Sequence, residues 1–512
     1  MNKIKLVNLV THPFDIEDNC NRILNIINKL PQQTDFLYAM PPSTLRLYHP
    51  STIDTQNDLL NHMLDRLAKE LNNDILASYP AAIENEFLKV HYYILGNNER
   101  QFIGSIYLNL DKKIDANSKI KFNYKDQQYT IVTYSDDVYN KIDFRNNNII
   151  IHDYQPFSYQ HYLDVFNNTQ NHRGNNFIYQ SINSFDYGKL YYGLSANSFD
   201  GSIRYSKLFG DDGLIDNNIY EAKDIKYDFD SVIHEALIVG IRRFMKLNKF
   251  TDIVIGLSGG IDSAIVAALA VESLGADHIV GLIMPSMYST PSSVDDAVSL
   301  ANNLGIEYHI LPITSIYDKT LETLNPVFAN TNFSIAEENI QARLRMLLLM
   351  AYSNKFGHVV LNTSNKSELS VGYGTLYGDL AGAFSLIGDL YKTQVYSISK
   401  YINKSHNKDI IPLSIISKAP SAELHPGQKD EDSIPAYDLL DKILYAWIED
   451  NKWNEPIGEI LNELNIDVSD EKIRVFESVK RMIEKNEFKR HLFAPILRLS
   501  RNPLNEIILG KY

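Results

Sequence analysis

The chain opens with short apolar runs separated by polar turns. Residues 4–10 are mostly apolar, broken by Lys5 and Asn8, and 35–40, 75–78, 90–95, 101–110, 129–134, 148–152, 177–182 and 190–196 continue as runs rich in apolar, β-branched and aromatic side chains. Each run has the length and composition of a strand. Residues 15–30 and 59–71 instead space their apolar positions three and four apart, as amphipathic helices do. Strands dominate and no internal repeat is visible. The pattern predicts an α/β domain of layered sheets over residues 1–210. Residues 211–230 are rich in Asp, Asn, Lys and Gly and read as a linker.

From residue 231 the period changes. Helical spacing over 231–247 is followed by the apolar strand Ile253-Val254-Ile255 and a second helix over 263–274. Strands over 277–284, 307–313 and 359–363 then alternate with helices over 291–304 and 336–356. This alternation predicts a doubly wound parallel sheet over 231–512. Ligands of such sheets bind at the carboxyl ends of the strands. The loop after Ile255 and residue Thr363 both fall there.

That loop reads Gly256-Leu257-Ser258-Gly259-Gly260-Ile261-Asp262-Ser263. Gly259 and Gly260 let backbone N–H groups approach an anion closely. The helix that follows adds unpaired N–H donors and the positive end of its dipole. Ser258 and Ser263 add hydroxyls. Asp262 suits such a site if it holds Mg²⁺ beside phosphates. The loop lacks the Lys-Ser/Thr ending of a P-loop and the three spaced glycines of a dinucleotide fingerprint.

Three further clusters follow. Glu338-Asn339-Ile340-Gln341-Ala342-Arg343 lies on a helix, with Asn339 and Arg343 four apart on one face; a solvated polar face is the alternative. Asn362-Thr363-Ser364-Asn365-Lys366-Ser367-Glu368 continues through the glycines at 372, 374 and 378 to Asp389-Leu390-Tyr391-Lys392. Dense polar residues and glycines after a strand suit a ligand loop, with Glu368 as a second metal ligand and Lys392 on phosphates. An ordinary surface loop is the alternative. The third, Pro420-Ser421-Ala422-Glu423-Leu424 followed by Gln428-Lys429-Asp430-Glu431-Asp432, reads by itself as a charged surface segment.

Composition narrows the class. With 512 residues, 44% of them apolar, two or three domains are expected. The formal charge of −14 disfavours nucleic acid and anionic membranes as partners. No apolar run has the length of a signal region or membrane span. The single cysteine, Cys20, allows no intrachain disulfide and fits a cytoplasmic protein.

Taken in order, Ser258-Gly-Gly-Ile-Asp-Ser, Glu338-Asn-Ile-Gln-Ala-Arg, Asn365-Lys-Ser-Glu, Gly378-Asp, Pro420-Ser-Ala-Glu-Leu and Gln428-Lys-Asp-Glu-Asp resemble the NAD⁺ synthetases. The resemblance covers about residues 230–512 and implies an ATP-pyrophosphatase fold. It implies that ATP activates the nicotinate carboxylate of deamido-NAD as an acyl-adenylate, which ammonia converts to NAD⁺ and AMP. By resemblance, Gly256, Leu257, Ser258, Gly259, Gly260, Ile261, Asp262, Ser263, Thr363, Lys392 and Ser421 contact ATP. Asp262 and Glu368 hold Mg²⁺. Asn339, Arg343, Glu368 and Lys489 contact deamido-NAD. Asp262, Glu368 and Lys392 are the expected catalytic groups. A homodimer or higher homo-oligomer is expected. A glutamine-dependent synthetase with an active glutaminase, a ligase acting on nicotinate mononucleotide and a regulatory protein without activity are the rival readings.

Long members of that family carry a nitrilase-type glutaminase domain with a Glu, a Lys and a Cys. Residues 1–210 resemble it weakly, through Met40-Pro41-Pro42, Ser135-Asp136-Asp137 and Phe177-Ile178-Tyr179-Gln180-Ser181. Pro42 stands at the general-base position and Ser135 at the nucleophile position. Cys20 lies far from that motif, and the lysine has no clear counterpart. Hydrolysis of this kind needs both thiol and base. The expectation is therefore an inactive glutaminase and ammonia in preference to glutamine as nitrogen donor.

Overall fold

In the computed structural model the chain divides into two units, Met1–Tyr227 and Asp228–Tyr512. The second is described without interruption over 228–504. The first is described except at 1–3, 10, 12–14, 31, 33–35, 43–56, 85–86, 97, 110–118, 135–147, 173–176, 182, 187, 200–201, 211–212, 215–219 and 222–227, and the chain after 504 is likewise outside the described residues.

The first unit is built from two large sheets. In one, strands run in the order Gly213–Leu214, Ile4–Asn8, Leu37–Ala39, Asp74–Glu84, Phe87–Gly96, Glu99–Asn109. In the other, the order is Tyr220–Glu221, Ser202–Tyr205, Ser195–Phe199, Phe177–Ser181, Asn148–Asp153, Gln127–Thr133, Lys119–Tyr124. Period-two alternation sends alternate side chains to opposite faces. Leu6, Leu37, Leu76, Val90 and Tyr92 of the first sheet meet Phe122, Tyr129, Ile131, Ile150 and Ile178 of the second. Val7, Tyr38, Ile75 and Tyr93 point the other way, onto helices Ile16–Ile27 and Asn57–Glu70. Helix Tyr159–Asn171 ties to the outer face of the second sheet, where Asn168 donates to the Tyr134 hydroxyl and Thr169 bonds Tyr205. The layers are thus α-β-β-α. Residues 211–230, read as a linker, instead supply an edge strand to each sheet and, from Asp228, the cap of the next helix.

The second unit centres on five parallel strands in the order Glu307–Ile310, Ile279–Ile283, Ile253–Gly256, Val359–Asn362, Phe384–Ser385. Val254, Val280, Leu282 and Val360 pack on Met346 and Leu349 of helix Ile335–Phe356. Helix Ile261–Leu274 is apolar on nearly every side and buried accordingly, between the sheet and helices Phe229–Asn248 and Lys392–His406. Helices Tyr437–Ile448, Ile457–Glu463 and Asp470–Lys485 form a further core around Trp447 and Phe476. Among the described residues no helix is long and apolar enough to cross a membrane.

Candidate functional site

The strand Ile253–Gly256 is the middle one of the five and delivers the glycine loop to the carboxyl edge of the sheet. Gly259 has φ +77°, and a Cβ there would overlap the Ser293 carbonyl, so glycine is required twice over. Gly260 caps the following helix without a side-chain acceptor. Ser258 Oγ accepts from the Gly260 N–H at 3.2 Å and lies 3.2 Å from Ser263 Oγ. The first-turn N–H groups of a fourteen-residue helix therefore open into a cavity of about 830 Å³, lined by 256–263 throughout. Thr363, Lys392 and the exposed Ser421 line it as well.

Charge is concentrated beside this loop. Lys392 Nζ lies 2.5 Å from Asp262 Oδ2 and 3.1 Å from Glu368 Oε1. Asn365 Nδ2 donates to Asp262 Oδ1 at 3.0 Å. Tyr437 donates to Asp430 Oδ2 at 2.9 Å and to Glu368 Oε1 at 3.3 Å, while Tyr373 donates to Asp430 Oδ1 at 3.1 Å. Burial opposes the Lys392 charge, but Asp262 and then Glu368 outweigh it and hold the ammonium above the ordinary lysine range. Burial first, helped by Asp262 and Asp430 and opposed by Lys392, pushes the Glu368 carboxyl up to about 7. Three carboxylates thus face one ammonium. A divalent cation held by Asp262 and Glu368 would supply the missing positive charge.

The other predicted residues are placed unequally. Asn339 lines the cavity and accepts from Thr375 Oγ1 at 2.6 Å. Lys489 lines it too, donating to the carbonyls of Gly372 at 2.7 Å and Gly374 at 2.9 Å; burial lowers its pKa against the pull of Asp379. Arg343 is exposed, donates to the Leu376 carbonyl at 3.2 Å and is not part of the lining. The cavity face of the helix carries Glu338, Asn339, Ala342, Arg345, Met346 and Leu349 instead. The four-residue spacing of Asn339 and Arg343 therefore did not put both on one functional face, and the arginine that faces the cavity is Arg345. Its Nε donates to the Met284 carbonyl at 3.0 Å, and burial lowers it to about 10.

Asp430, Tyr437, Tyr373 and Arg345 were not foreseen as site residues. Asp430 had a signal as part of the third polar cluster and Tyr373 as part of the second, while Tyr437 and Arg345 had none. The third cluster is anchored: Glu423 accepts from Thr290 N at 3.2 Å and Ser293 Oγ at 2.6 Å, Gln341 donates to the Leu424 carbonyl at 2.8 Å, and Lys418 bonds Ser293 Oγ.

In the first unit Pro42 is buried just beyond strand Leu37–Ala39 and offers no acid. Ser135, Asp136 and Asp137 lie outside the described residues. Cys20 is buried in helix Ile16–Ile27, and burial raises its thiol to about 12, so no thiolate forms there. His152 bonds the Tyr92 hydroxyl at 3.0 Å and is kept neutral by burial, with a pKa of about 3.

The family profile described as NAD synthase matches residues 233–493. A glutamine-dependent NAD(+) synthetase of Thermotoga maritima is 48% identical over 267 residues, 52% of this chain and 44% of the relative. One of Acinetobacter baylyi is 40% identical over 310 residues, 60% of this chain and 54% of the relative. The chain thus spans about half the length of the curated relatives it matches. Among solved structures, the glutamine-dependent NAD+ synthetase from Acinetobacter baumannii in complex with ADP superposes with a TM-score of 0.71 at 26% identity, covering 98% of this chain and 96% of that one. The synthetase from Cytophaga hutchinsonii gives 0.79 at 16% identity over 99% and 97%, a likeness of fold.

Proposed function

The chain belongs to the NAD synthase family, and we propose that it is a carbon–nitrogen ligase that amidates deamido-NAD to NAD⁺ at the expense of ATP. Its fold is α/β, with a nitrilase-like layered unit followed by a parallel-sheet ATP-pyrophosphatase unit. The observation that carries the reading is the uncapped helix N-terminus and glycine loop beside Asp262, Lys392 and Glu368. Carboxylate and ammonia do not condense unaided, because oxide is a poor leaving group. Attack of the nicotinate carboxylate on the α-phosphorus, with loss of pyrophosphate, creates a good one.

In this reading the N–H groups and hydroxyls of 256–263 hold the phosphates in line, and Thr363 and Ser421 add contacts to ATP. Lys392 carries positive charge to the developing phosphate anion. A magnesium ion held by Asp262 and Glu368 supplies further neutralisation. Asn339, Glu368 and Lys489 bind the dinucleotide. Arg343 does so only across an interface, since it shares its helix face with the exposed Leu347 and Met350. That face, with its exposed apolar Leu347 and Met350, supports at least a homodimer. We place the protein in the cytoplasm.

The nitrogen donor has two readings. The names of the relatives favour glutamine over the ammonia expected from the sequence. Pro42, which has no side-chain base, favours ammonia. The experiment is product analysis with ATP, Mg²⁺, each nitrogen donor and either deamido-NAD or nicotinate mononucleotide. NAD⁺ and AMP in equal amounts from deamido-NAD support the ligase; no AMP with any acceptor removes it. Glutamate formed in step with NAD⁺ identifies glutamine as donor.

A further inference from the structure

The second unit buries an ion pair that does not line the cavity. Lys366 is fully buried, and its Nζ meets Asp389 Oδ1 at 2.8 Å, Glu449 Oε1 at 2.6 Å, Ser500 Oγ at 2.9 Å and the Asn502 carbonyl at 3.0 Å. Asp389 Oδ2 accepts the N–H groups of Leu499 at 2.7 Å and Ser500 at 2.6 Å. Tyr391 donates to Glu449 at 3.2 Å, and Asn502 Nδ2 to the Ile448 carbonyl at 2.7 Å. None of these groups touches the cavity. Desolvating such charges is costly, and in proteins generally well-packed apolar side chains of similar volume often do as well for stability. Stability alone does not account for them.

Their neighbours in sequence do. Lys366 sits between Asn365, which holds Asp262, and Glu368, which meets Lys392. Asp389 lies three residues before Lys392, in the turn that leads into the helix Lys392–His406. The two segments are stitched together by Lys366 N–H to the Leu390 carbonyl and Lys392 N–H to Ser367 Oγ, each at 2.8 Å. Ser367 is itself held by Asp441, whose other oxygen accepts the Thr393 N–H at 2.8 Å. Segment 499–502 closes this frame from the far end of the unit.

We propose that Lys366 and Asp389 are positioning residues, which use segment 499–502 to set the spacing of Asn365, Glu368 and Lys392 around Asp262. The effect on turnover rests on the ligase reading above; the placement itself does not. Two measurements on the whole 512-residue chain keep them apart. With ATP, Mg²⁺, deamido-NAD and ammonium, Asp389→Asn and the milder Ser500→Ala should lower kcat by about a hundredfold and tenfold, while KM for ATP stays within about threefold. Folded variants with kcat within twofold of wild type would overturn the proposal. The second measurement needs no turnover. In a double-mutant cycle of Asp389→Asn with Lys392→Met, read by urea unfolding, positioning predicts a coupling of at least about fivefold in the unfolding constant. Additive effects would overturn it, whatever reaction the cavity performs.

Discussion

Buried carboxylates are matched in opposite ways in the first unit and at the cavity of the second. In the first, the one buried carboxylate among the described residues is Asp153, and it is matched on every side. His161 meets it at 2.7 Å, Tyr192 donates at 2.9 Å, Tyr179 also donates, and the Gln155 N–H caps its other oxygen at 2.9 Å. Burial alone would raise its pKa; His161, Tyr179 and the Gln155 N–H together outweigh burial and hold it low. In the second unit, Asp262, Glu368 and Asp430 share one lysine, and burial leaves Glu368 poorly matched. A satisfied charge is part of a scaffold. An unsatisfied one at a cavity wall is held ready for a ligand.

The largest effect expected is from Asp262→Asn. If the surplus of carboxylate is there for a metal, steady-state turnover with saturating Mg²⁺ should fall by about a thousandfold or more, near 4 kcal/mol in transition-state terms. A loss within threefold would erase the contrast between the units. The matched carboxylate should behave differently. Asp153→Leu leaves His161 and two tyrosines without their acceptor and should cost about 3 kcal/mol in urea unfolding of the first unit. Ammonium-dependent turnover of the folded variant should stay unchanged; a parallel fall would show that Asp153 is not a scaffold residue.

Glu368 gives a pH test of the same contrast. Its pKa rises on folding from 4.5 to about 7, so the protonated form favours the folded state. That stabilisation is complete below about pH 4.5 and is lost as pH rises through about 7, about 3 kcal/mol in all. Without ligand, the melting temperature of Glu368→Gln relative to wild type should therefore climb across this window. A flat difference would mean that Glu368 is matched after all. The smallest effect concerns Cys20, whose thiol takes part in no chemistry here. Cys20→Ala should cost about 1–2 kcal/mol, the loss of a small packed side chain. A thiol reagent should label native protein only on the unfolding timescale, and fast labelling would contradict the burial.

The alternation of strands and helices from 231 to 363 was legible because each element has its own period. So was the loop at 256–263, where glycines, serines and an acid are consecutive. The face of helix Ile335–Phe356 was not. Asn339 and Arg343 are neighbours on any helix, but which neighbour turns to the cavity depends on the sheet beneath, and Arg345 won. Asp430 and Tyr437 reach Glu368 across more than sixty residues, a closeness only tertiary folding creates. Helix Thr314–Phe328 holds Pro326 inside its last turn, a residue that ordinarily ends a helix. The strand Lys119–Tyr124 alternates apolar with polar residues perfectly, but follows a polar stretch and was passed over.

The two glycines of the loop also differ in how freely they can change over evolutionary time. At Gly260 the backbone has φ −97°, and the nearest atom to an added Cβ is Ser258 Oγ at 3.3 Å, a side chain able to turn aside. Alanine is open to that position by a single mutational step. Gly259 has no such exit: its backbone is left-handed and the obstacle is the main chain of Ser293, which opens the helix Pro291–Leu304 alongside Thr290. A lineage drifting from this sequence can trade the second glycine of the pair and keep its loop. It can give up the first only by re-siting a whole helix, so the loop's history is tied to that of a segment more than thirty residues away.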